Sequence, residues 1–589
     1  MGVRVPREDA PPRRGRPQGP PLSTAVALAC LVFLALVSNG RPIDSGDTRV
    51  NERVAASLVQ EGDFDLDEYP DVEAPFARTV EGRRISIYPV LPALMAAPVF
   101  AVARLFFALD ETGCALAGKL AASLFSAAAS ALLFLAAARR WPGEGAATAW
   151  AFAVGTSVWS TSQALWQHPP ALLCLAWGIV WMLKAEDDEV WAGRAGLPLS
   201  LAAAARHADA LLVIVLALGI ALRWPRRIPW IALWGAPAAV FVLGYQWLAF
   251  GSPLLHGFSG SLGRFSEPWG SGHLGLLVSP GKGLLVFTPV ALVAMAGLVT
   301  AARRGEPWLA STLGTAALAH WVLMGRWSEW HGGECFGPRM MTDALPLLFV
   351  FLPDGLALLG AAGKLLLAFS LGVQALGAFA YDYRWERLFQ RPPRASHEEL
   401  WDPLRSPILF HARERVILLA IPAVSEGRAI VREHPLVLLG PRGSRVSFAE
   451  GGLAVKGSED NFGDVWLQRG ARVENGRLRL KGRWDGLFLR VQEGARPRRL
   501  ELRVLGRGSG VLYVGEQTFW SDAPRWSTYP VNGPFLIRHP YHFPESGGPD
   551  VTVTVGKNGG DAALESVSLV PPGDPDDRAV LDPTKSRGR

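Results

Sequence analysis

Repeated apolar runs dominate the first two thirds of this chain. Each is about 15–25 residues long, which is the length that an α-helix needs to cross a hydrocarbon core of about 30 Å. Residues 430–572 contain no such run. The pattern predicts a polytopic α-helical membrane domain of about 11–13 transmembrane helices, followed by a soluble domain. The predicted spans are 22–38, 88–109, 114–138, 146–165, 170–184, 208–222, 228–250, 276–301, 307–324, 343–359 and 362–380.

Composition divides the chain into regions. The first apolar run has a long basic flank and no clear cleavage site, so it is expected to stay as an uncleaved helix with its N-terminus in the cytoplasm. We predict these regions: a disordered cytoplasmic N-terminus at 1–21, a multi-spanning domain at 22–381 with a large external loop at 39–87, a linker at 382–434, an all-β sandwich at 435–572 and a disordered tail at 573–589.

Arginine groups indicate the orientation in the membrane. Basic residues concentrate in cytoplasmic turns, and Arg223–Arg227 and Arg303–Arg304 flank apolar runs in this way. The net charge of +6 is thereby explained without a nucleic-acid partner. Counting from the first helix places Arg139 and Arg140 outside, whereas counting back from the later loops places them inside. We therefore expect one miscounted crossing around 139–207, where the runs are short and broken. The prediction is a multi-pass inner (plasma) membrane protein with a periplasmic or extracellular C-terminal domain.

The C-terminal region has the signals of an all-β domain. LRLKG, LFLRV, LELRVL, VLYVG and VTVTV are rich in β-formers and are separated by glycine-containing stretches. Asn475-Gly476 is a strong signal for a two-residue hairpin turn. A β-sandwich of about 140 residues is therefore expected.

The external loop 39–87 carries the most informative polar cluster. Asp44 and Asp47 follow the first apolar run, and apolar residues then recur at helical spacing from Val50 to Leu58. This spacing predicts an amphipathic helix lying on the membrane. An acidic residue held against a bilayer is costly and therefore usually functional. The alternative is that these aspartates cap a helix and are solvated.

The segment DTRVNERVAASLVQEGDF resembles the first external loop of the membrane-embedded type C (GT-C) glycosyltransferases, which include the protein O-mannosyltransferases and the lipid A aminoarabinose transferases. In that family the loop reads Asp-Glu-x-Arg-Tyr-Ala and is followed by a helix that ends in Gly-Asp-Trp. Asp47 falls on the catalytic Asp of the family, and Gly62-Asp63-Phe64 falls on Gly-Asp-Trp without a gap. Thr48 stands where the family has Glu, and Arg49 comes one position early.

Other segments agree with this resemblance over roughly residues 22–380. ISIYPVLPALMAAPVF, which contains Tyr88, looks like the entry to the second helix of the family, and WQHPP, which contains His168, looks like another external loop. The resemblance implies transfer of a sugar from a polyprenyl-phosphate donor to a lipid, protein or cell-wall glycan acceptor on the external face. It also implies that Asp47 is the general base of an inverting, one-step reaction.

Three basic residues are candidate ligands for a lipid phosphate, because cationic side chains bind phosphate oxygens strongly. Arg206 interrupts the run LSLAAAARHADALLVIVLAL, Arg339 follows the glycine-rich segment HGGECFGP, and Lys282 lies in SPGKG. A charge within an apolar run is expensive unless it faces a cavity. The alternative for Arg206 is a short external turn between two half-helices.

The remaining candidate substrate-binding residues lie in segments predicted to be external. They are Asp44, Arg49, Tyr88, His168, Glu329 and His331. No metal site is predicted, because the histidines are in separate loops, the four cysteines lack metal-ligand spacing, and the acidic stretch from Asp63 lacks the glycine and later glutamate of a calcium loop. A divalent cation nevertheless stays open as a cofactor.

Two other classes of protein stay open at this point. A non-catalytic membrane protein would use the external β-sandwich to bind glycans, and a transporter would line a midplane pathway with the same polar groups. Neither has a special need for Asp47. Within the enzyme class, an oligosaccharide transferase would be expected to carry a paired-acid motif, and residues 139–170 contain none.

Overall fold

The computed structural model divides the chain into two compact units. The first comprises Met1–Tyr383 and His397–His411, and the second comprises Arg384–Ser396 and Ala412–Arg589. The predicted terminal regions and most of the predicted linker lie outside the described residues. The structure describes residues 22–69, 72, 75–381, 385–386, 400–412, 436–437, 444–449, 452–456, 462–463, 465–468, 472–475, 477–480, 486–491, 499–518, 525–542 and 551–570.

The described part of the first unit is helical, apart from a hairpin of β1 (Ala77–Val80) and β2 (Arg83–Ser86). Its α-helices are α1 (Leu22–Val37), α2 (Gly46–Gln60), α3 (Leu91–Ala103), α4 (Glu111–Arg140), α5 (Gly145–Val154), α6 (Val158–Thr161), α7 (His168–Lys184), α8 (Val190–Arg194), α9 (Gly196–Ala205), α10 (Ala210–Arg223), α11 (Ile228–Phe250), α12 (Ser271–Val278), α13 (Leu284–Phe287), α14 (Val290–Arg303), α15 (Pro307–Gly325), α16 (Leu345–Phe349) and α17 (Leu352–Ala380).

Helix α4 is the central element of this unit and contacts α1, α2, α3, α5 and α7. The Asp110 side chain caps it by accepting from the Gly113 N–H at 2.8 Å, and Arg139 and Arg140 lie in its last turn, where cations complement the helix dipole. Alanine and glycine on its buried faces allow close helix packing. Three described helical segments are long and apolar enough to cross a membrane: Glu111–Arg140, Pro225–Phe250 and Leu352–Ala380.

The predicted span at 88–109 is shortened to α3 and runs alongside α2. Tyr88, just before α3, donates to Asp47 in the first turn of α2, and Arg104, just after α3, donates to the Val59 carbonyl near the end of α2. The chain therefore enters and leaves this segment beside α2. Pro98 lies inside α3, and thirteen residues extend only about 20 Å, so this helix is shorter than the predicted span at 88–109.

A helix that the sequence reading missed lies at 196–205. The chain passes through α8 and α9 between Glu189, which binds Arg227 at 2.8 Å, and Arg206, where α10 follows after a short break. The apolar pattern predicted no span between 184 and 208, and the runs in this region were described as short.

Ion pairs join the basic turns at one end of the first unit. Arg140 binds Glu306, which follows Arg303 and Arg304, at 2.7 Å, and binds Asp354 at 2.9 Å. Other pairs join the neighbouring turns: Arg139–Asp187, Arg223–Glu186 and Arg227–Glu189. Arg139 and Arg140 therefore lie at the same end of the first unit as the later basic turns, in agreement with the count made back from those turns.

Two further predicted spans are interrupted. The run at 276–301 is divided among α12, α13 and α14, and the run at 146–165 is divided between α5 and α6. The runs at 343–359 and 362–380 are separated within α17 by Gly360, whose φ of 53° is a left-handed conformation that glycine tolerates. Such interruptions supply the irregular backbone around a cavity.

The described strands of the second unit form a nine-stranded antiparallel sheet and a separate two-stranded sheet. They are β3 (Leu436–Val437), β4 (Ser444–Ala449), β5 (Gly452–Lys456), β6 (Phe462–Gly463), β7 (Val465–Gln468), β8 (Arg472–Glu474), β9 (Arg477–Leu480), β10 (Gly486–Val491), β11 (Arg499–Thr518), β12 (Arg525–His542) and β13 (Val551–Val570). Strands β8 and β9 pair with Glu474 opposite Arg477, so the hairpin predicted at Asn475-Gly476 is confirmed.

One element of the β prediction is wrong. LELRVL and VLYVG belong to a single long strand, β11, which pairs with β13 throughout. The glycines between them produce register shifts at Leu505/Gly506 and Gly510/Val511 instead of a turn. Glycine in a strand marks either a turn or a bulge, and the pairing with β13 decides between them. The described strands thus extend one sheet from β12 through β11 and β13 to β10 and β7, and the two facing sheets of a sandwich stay a prediction.

Candidate active site

A cavity of about 1010 Å³ lies at the end of the first unit opposite the basic turns. Its walls come from the start of α2, the segment before α3, the start of α7, the break between α9 and α10, and the loops 251–270 and 326–340. Much of the lining is apolar, and the polar residues that line it include Asp47, Tyr88, His168, Arg206 and Arg339.

Asp47 occupies the first turn of α2 and projects to this cavity. Ser45 precedes the helix, and its backbone N–H donates to the Thr48 hydroxyl at 2.8 Å. Thr48, which replaces the glutamate of the resembling family, thus closes the helix end and is itself completely buried. The consequence is a rigid first turn that holds Asp47 at the cavity wall.

Two side chains hold the Asp47 carboxylate. The Tyr88 hydroxyl donates to Oδ1 at 2.8 Å, and Nη1 of Arg339 donates to Oδ2 at 2.7 Å. The Asp47 side chain remains 23% exposed, whereas that of Arg339 is 13% exposed. Charge-assisted bonds of this length fix the carboxylate while leaving part of it open to the cavity.

Arg339 is oriented by its surroundings as well as by Asp47. Its Nε donates to the Gly332 carbonyl at 2.5 Å, and its guanidinium lies 4.2 Å from the ring centroid of Trp166. Burial lowers the pKa of Arg339, but the charge and hydrogen bond of Asp47, together with Cys335 and Tyr88, raise it by more in sum, so the pKa is above its ordinary value. A Cβ at Gly332, whose φ is 77°, would lie 2.9 Å from the Arg339 side chain. Glycine is thus required where the loop passes over Arg339.

Arg206 ends α9 and forms a second fixed cation at the cavity. Its Nη1 binds Asp209 at 2.9 Å and Asp343 at 2.8 Å, and His168 Nδ1 contacts the same Asp343 oxygen at 2.8 Å. The side chain of Arg206 is 8% exposed. The prediction of a break between two half-helices and the prediction of a cation at a cavity are both compatible with this geometry.

Four sequence-predicted site residues do not line the cavity. Asp44 and Arg49 bind each other at 2.7 Å on the outside of α2. Nζ of Lys282 donates to the backbone carbonyls of Gly333 and Cys335, so Lys282 braces the glycine-rich loop from beneath. His331 accepts from the Gly333 N–H at 3.1 Å and is likewise absent from the lining, whereas Glu329 lines the cavity near Arg264.

Sequence reasoning missed several buried polar residues around this site. Asp209 interrupts the same apolar run as Arg206, so its charge was a readable signal. Asn51 and Glu52 face inward from α2: the Asn51 side chain donates to the Leu165 carbonyl, and Glu52 accepts from the Leu165 N–H. Burial raises the pKa of Glu52 well above its ordinary value. Trp166, beneath Arg339, carried no distinguishing signal among the many tryptophans.

The acidic stretch beyond α2 lies apart from the cavity lining. Ser57 donates to Asp63 at 2.7 Å and to Glu68 at 3.1 Å, and Asp65 lies beside them. Burial raises the pKa of Asp65, with the neighbouring carboxylates adding to the shift. These contacts stabilise the turn after α2, and the three acidic residues stay partly or fully exposed.

Comparison with known proteins leaves the family of this chain unassigned. No family model matches it, and no curated protein matches it. Two solved structures of the Archaeoglobus fulgidus oligosaccharyltransferase resemble it: one tethered with an acceptor peptide containing the NVT sequon (11% identity, TM-score 0.36) and one of AglB with an inhibitory peptide and a dolichol-phosphate (12% identity, TM-score 0.36). The matches cover 64% and 65% of this chain and 59% and 60% of those chains. The chain thus spans about six tenths of their length, and neither score assigns a family.

Proposed function

We propose that this protein is an integral-membrane glycosyltransferase that moves a sugar from a polyprenyl-phosphate donor to a lipid, protein or glycan acceptor on the external face of the membrane. The observation that carries the proposal is the convergence of one carboxylate and two guanidinium groups on one large, mostly apolar cavity. Asp47, Arg339 and Arg206 come from distant parts of the sequence and line the same space.

Asp47 is the general base in this mechanism. It accepts the proton of the acceptor hydroxyl while that oxygen attacks the anomeric carbon, and the bond between the anomeric carbon and the phosphate oxygen breaks in the same step. The electron pair leaves with the lipid phosphate, and the configuration of the sugar is inverted. A base must lie within about 3 Å of the proton that it removes, and the exposed part of the Asp47 carboxylate supplies that position.

The cations balance the charge that leaves with the phosphate. Fixed donors directed at developing negative charge supply a large share of catalysis, because they need no reorganisation during the reaction. In this proposal Arg339 contacts both negative charges, the Asp47 carboxylate and the leaving phosphate. Its Nη1 donates to Asp47 and its Nε donates to the Gly332 carbonyl, whereas Nη2 has no hydrogen-bond partner among the described residues. That nitrogen is directed to the phosphate in our proposal, and Arg206 adds a second positive charge.

The apolar lining suits a polyprenyl chain. Apolar side chains contribute most of the cavity wall, and the end that carries the cavity is opposite the basic turns at Arg140 and Arg227. Basic turns favour the cytoplasmic side, so the cavity opens to the external side in this proposal. A lipid-linked donor then explains why a polar active site is built into an apolar helical domain.

The test is transfer by the purified full chain in lipid nanodiscs. Radiolabelled polyprenyl-phosphate hexoses and pentoses are supplied with delipidated membrane extract, and labelled products are separated and identified. We expect one donor to yield a labelled acceptor, and Asp47→Asn protein purified in the same way to yield none. Absence of product with every donor, together with saturable uptake of free sugar into liposomes, would identify a transporter and overturn the proposal.

A further inference from the structure

A buried group of hydrogen-bond acceptors lies beside Arg206, behind the residues that line the cavity. Asp209, His320 and Asp343 each contribute one ligand-type atom, and these atoms lie within 4.8 Å of one another. All three side chains are completely buried. They come from α10 and its preceding turn, from α15, and from the 3₁₀ turn Arg339–Ala344, so the fold assembles them from three separate segments.

Three atoms of this group have no hydrogen-bond partner among the described residues. They are Oδ2 of Asp209, Oδ1 of Asp343 and Nδ1 of His320. Arg206 and His168 satisfy only the other carboxylate oxygens of the aspartates. A buried polar atom without a partner costs about 1–3 kcal/mol, and a charged one costs more, so three in one place indicate a ligand for the group.

The tautomer of His320 identifies the kind of ligand. Its Nε2 lies 2.9 Å from the Met340 carbonyl, which only accepts, so Nε2 carries the hydrogen. A neutral His320 therefore presents a lone pair at Nδ1, on the side of Asp209, whose Oδ1 lies 3.6 Å away. With the unpaired oxygens of Asp209 and Asp343, the group has three unpaired acceptors among the described residues, and a cation satisfies all of them. A backbone carbonyl that holds the second nitrogen of a histidine is also the usual support of a metal ligand.

We propose that Asp209, His320 and Asp343 bind a divalent transition metal of the Zn²⁺ or Mn²⁺ type. Two carboxylates and one imidazole suit these ions, whose ligand bonds are about 2.0–2.2 Å. With Arg206 beside them, the two carboxylates carry a net negative charge that the ion neutralises.

The metal acts as a positioning element, because its ligands are buried beneath Arg206. Binding one carboxylate oxygen of each aspartate leaves the opposite oxygens for Arg206 and His168, so the ion fixes the direction of both cavity-lining side chains. This role does not depend on the reaction that the cavity performs.

The test is metal content of the purified full chain. Protein is stripped with chelator, reconstituted with Zn²⁺ or Mn²⁺, passed through a desalting column and assayed by inductively coupled plasma mass spectrometry. We expect about one ion per chain in the wild type and a loss of at least ten-fold in His320→Ala and Asp209→Asn. Asp63→Asn, in the exposed acidic group, is the matched control and should retain the full amount.

A ligand replacement keeps the test decisive where an alanine variant does not fold. His320→Cys should retain the ion, and its Co²⁺ form should gain a sulfur-to-metal charge-transfer band that the wild-type Co²⁺ form lacks. Absence of metal from the folded wild type after reconstitution overturns the proposal, since a water or a shared proton would then satisfy the acceptors. Unchanged metal content in His320→Ala overturns it as well.

Discussion

The sharpest prediction compares two aspartates three positions apart. Asp47 and Asp44 each bind an arginine at 2.7 Å, and their side chains are 23% and 22% exposed. They differ in position, because Asp47 lines the cavity and Asp44 does not. Asp47→Asn and Asp44→Asn therefore remove the same charge from comparable surroundings, and only the first removes the proposed base.

The expected magnitudes separate catalysis from stability. A general base contributes about 10²–10⁴-fold to a rate, so the central expectation for Asp47→Asn is a loss of about 10³-fold, equivalent to about 4 kcal/mol of activation free energy. Asparagine keeps an oxygen for the Tyr88 hydroxyl, but it leaves the 13% exposed Arg339 side chain without its carboxylate, so stability should fall by less than the roughly 3–5 kcal/mol of breaking a fully buried pair. A rate loss of about 10³-fold in protein that is still folded separates the loss of the base from the loss of stability.

The assay measures initial rates of sugar transfer in nanodiscs beside the melting temperature of each variant. We expect Asp44→Asn to retain transfer within about two-fold, because surface ion pairs contribute little. Equal losses in both variants would mean that charge on α2, and not a base at position 47, controls the rate. Transfer by Asp47→Asn within a few-fold of the wild type would refute the assignment of the base.

Three further predictions address the support of the site. Tyr88→Phe removes one hydrogen bond to Asp47 and should lower the transfer rate about ten-fold or more, with a loss of stability of at most about 1.5–3 kcal/mol, which is what a bond to a charged group contributes; an unchanged rate would exclude a positioning role. Burial raises the pKa of Glu52, so its contribution to stability is complete below about pH 4.5 and is lost as the pH rises through its folded-state pKa. Glu52→Gln should therefore raise the melting temperature at pH 8 and flatten its dependence on pH, whereas Glu61→Gln at the exposed end of α2 should change neither. Gly118→Ala places a Cβ 2.6 Å from the Glu52 side chain and should destabilise the fold by about 1–3 kcal/mol, while Gly372→Ala, which meets nothing within 4 Å, should be neutral or slightly stabilising by calorimetry.

Some features of the site were predictable because they depend on local pattern. The amphipathic spacing after Asp47 predicted α2, and the structure places that helix at Gly46–Gln60. The resemblance to the family loop, in which Gly62-Asp63-Phe64 follows Asp47 without a gap, selected Asp47 over Asp44. Asp47 is the one of the two that lines the cavity. A charge inside an apolar run likewise pointed to Arg206, which lies at a helix break at the cavity.

Other features depended on contacts between distant segments. Lys282 and Arg339 were proposed as phosphate ligands on similar grounds from the sequence. In the structure, Lys282 donates to backbone carbonyls of a loop, whereas Arg339 donates to a carboxylate 292 positions away. No local pattern distinguishes two buried cations when their partners are remote. The helix within 88–109 is shorter than predicted for the same reason: its composition suits a longer span, but the contacts at both of its ends are with remote residues of α2.

The sequence by itself determined that this chain has an apolar helical unit and a β-rich unit, because hydrophobic run length and β-former pattern are local properties. It also determined the surface helix that carries Asp47 and the hairpin at Asn475-Gly476. Only the tertiary structure decided which polar residues meet, because a buried charge is stabilised by whichever partner the packing brings within reach. Two examples depend on packing in this way: the pairing of Asp47 with Arg339, and the grouping of Asp209, His320 and Asp343.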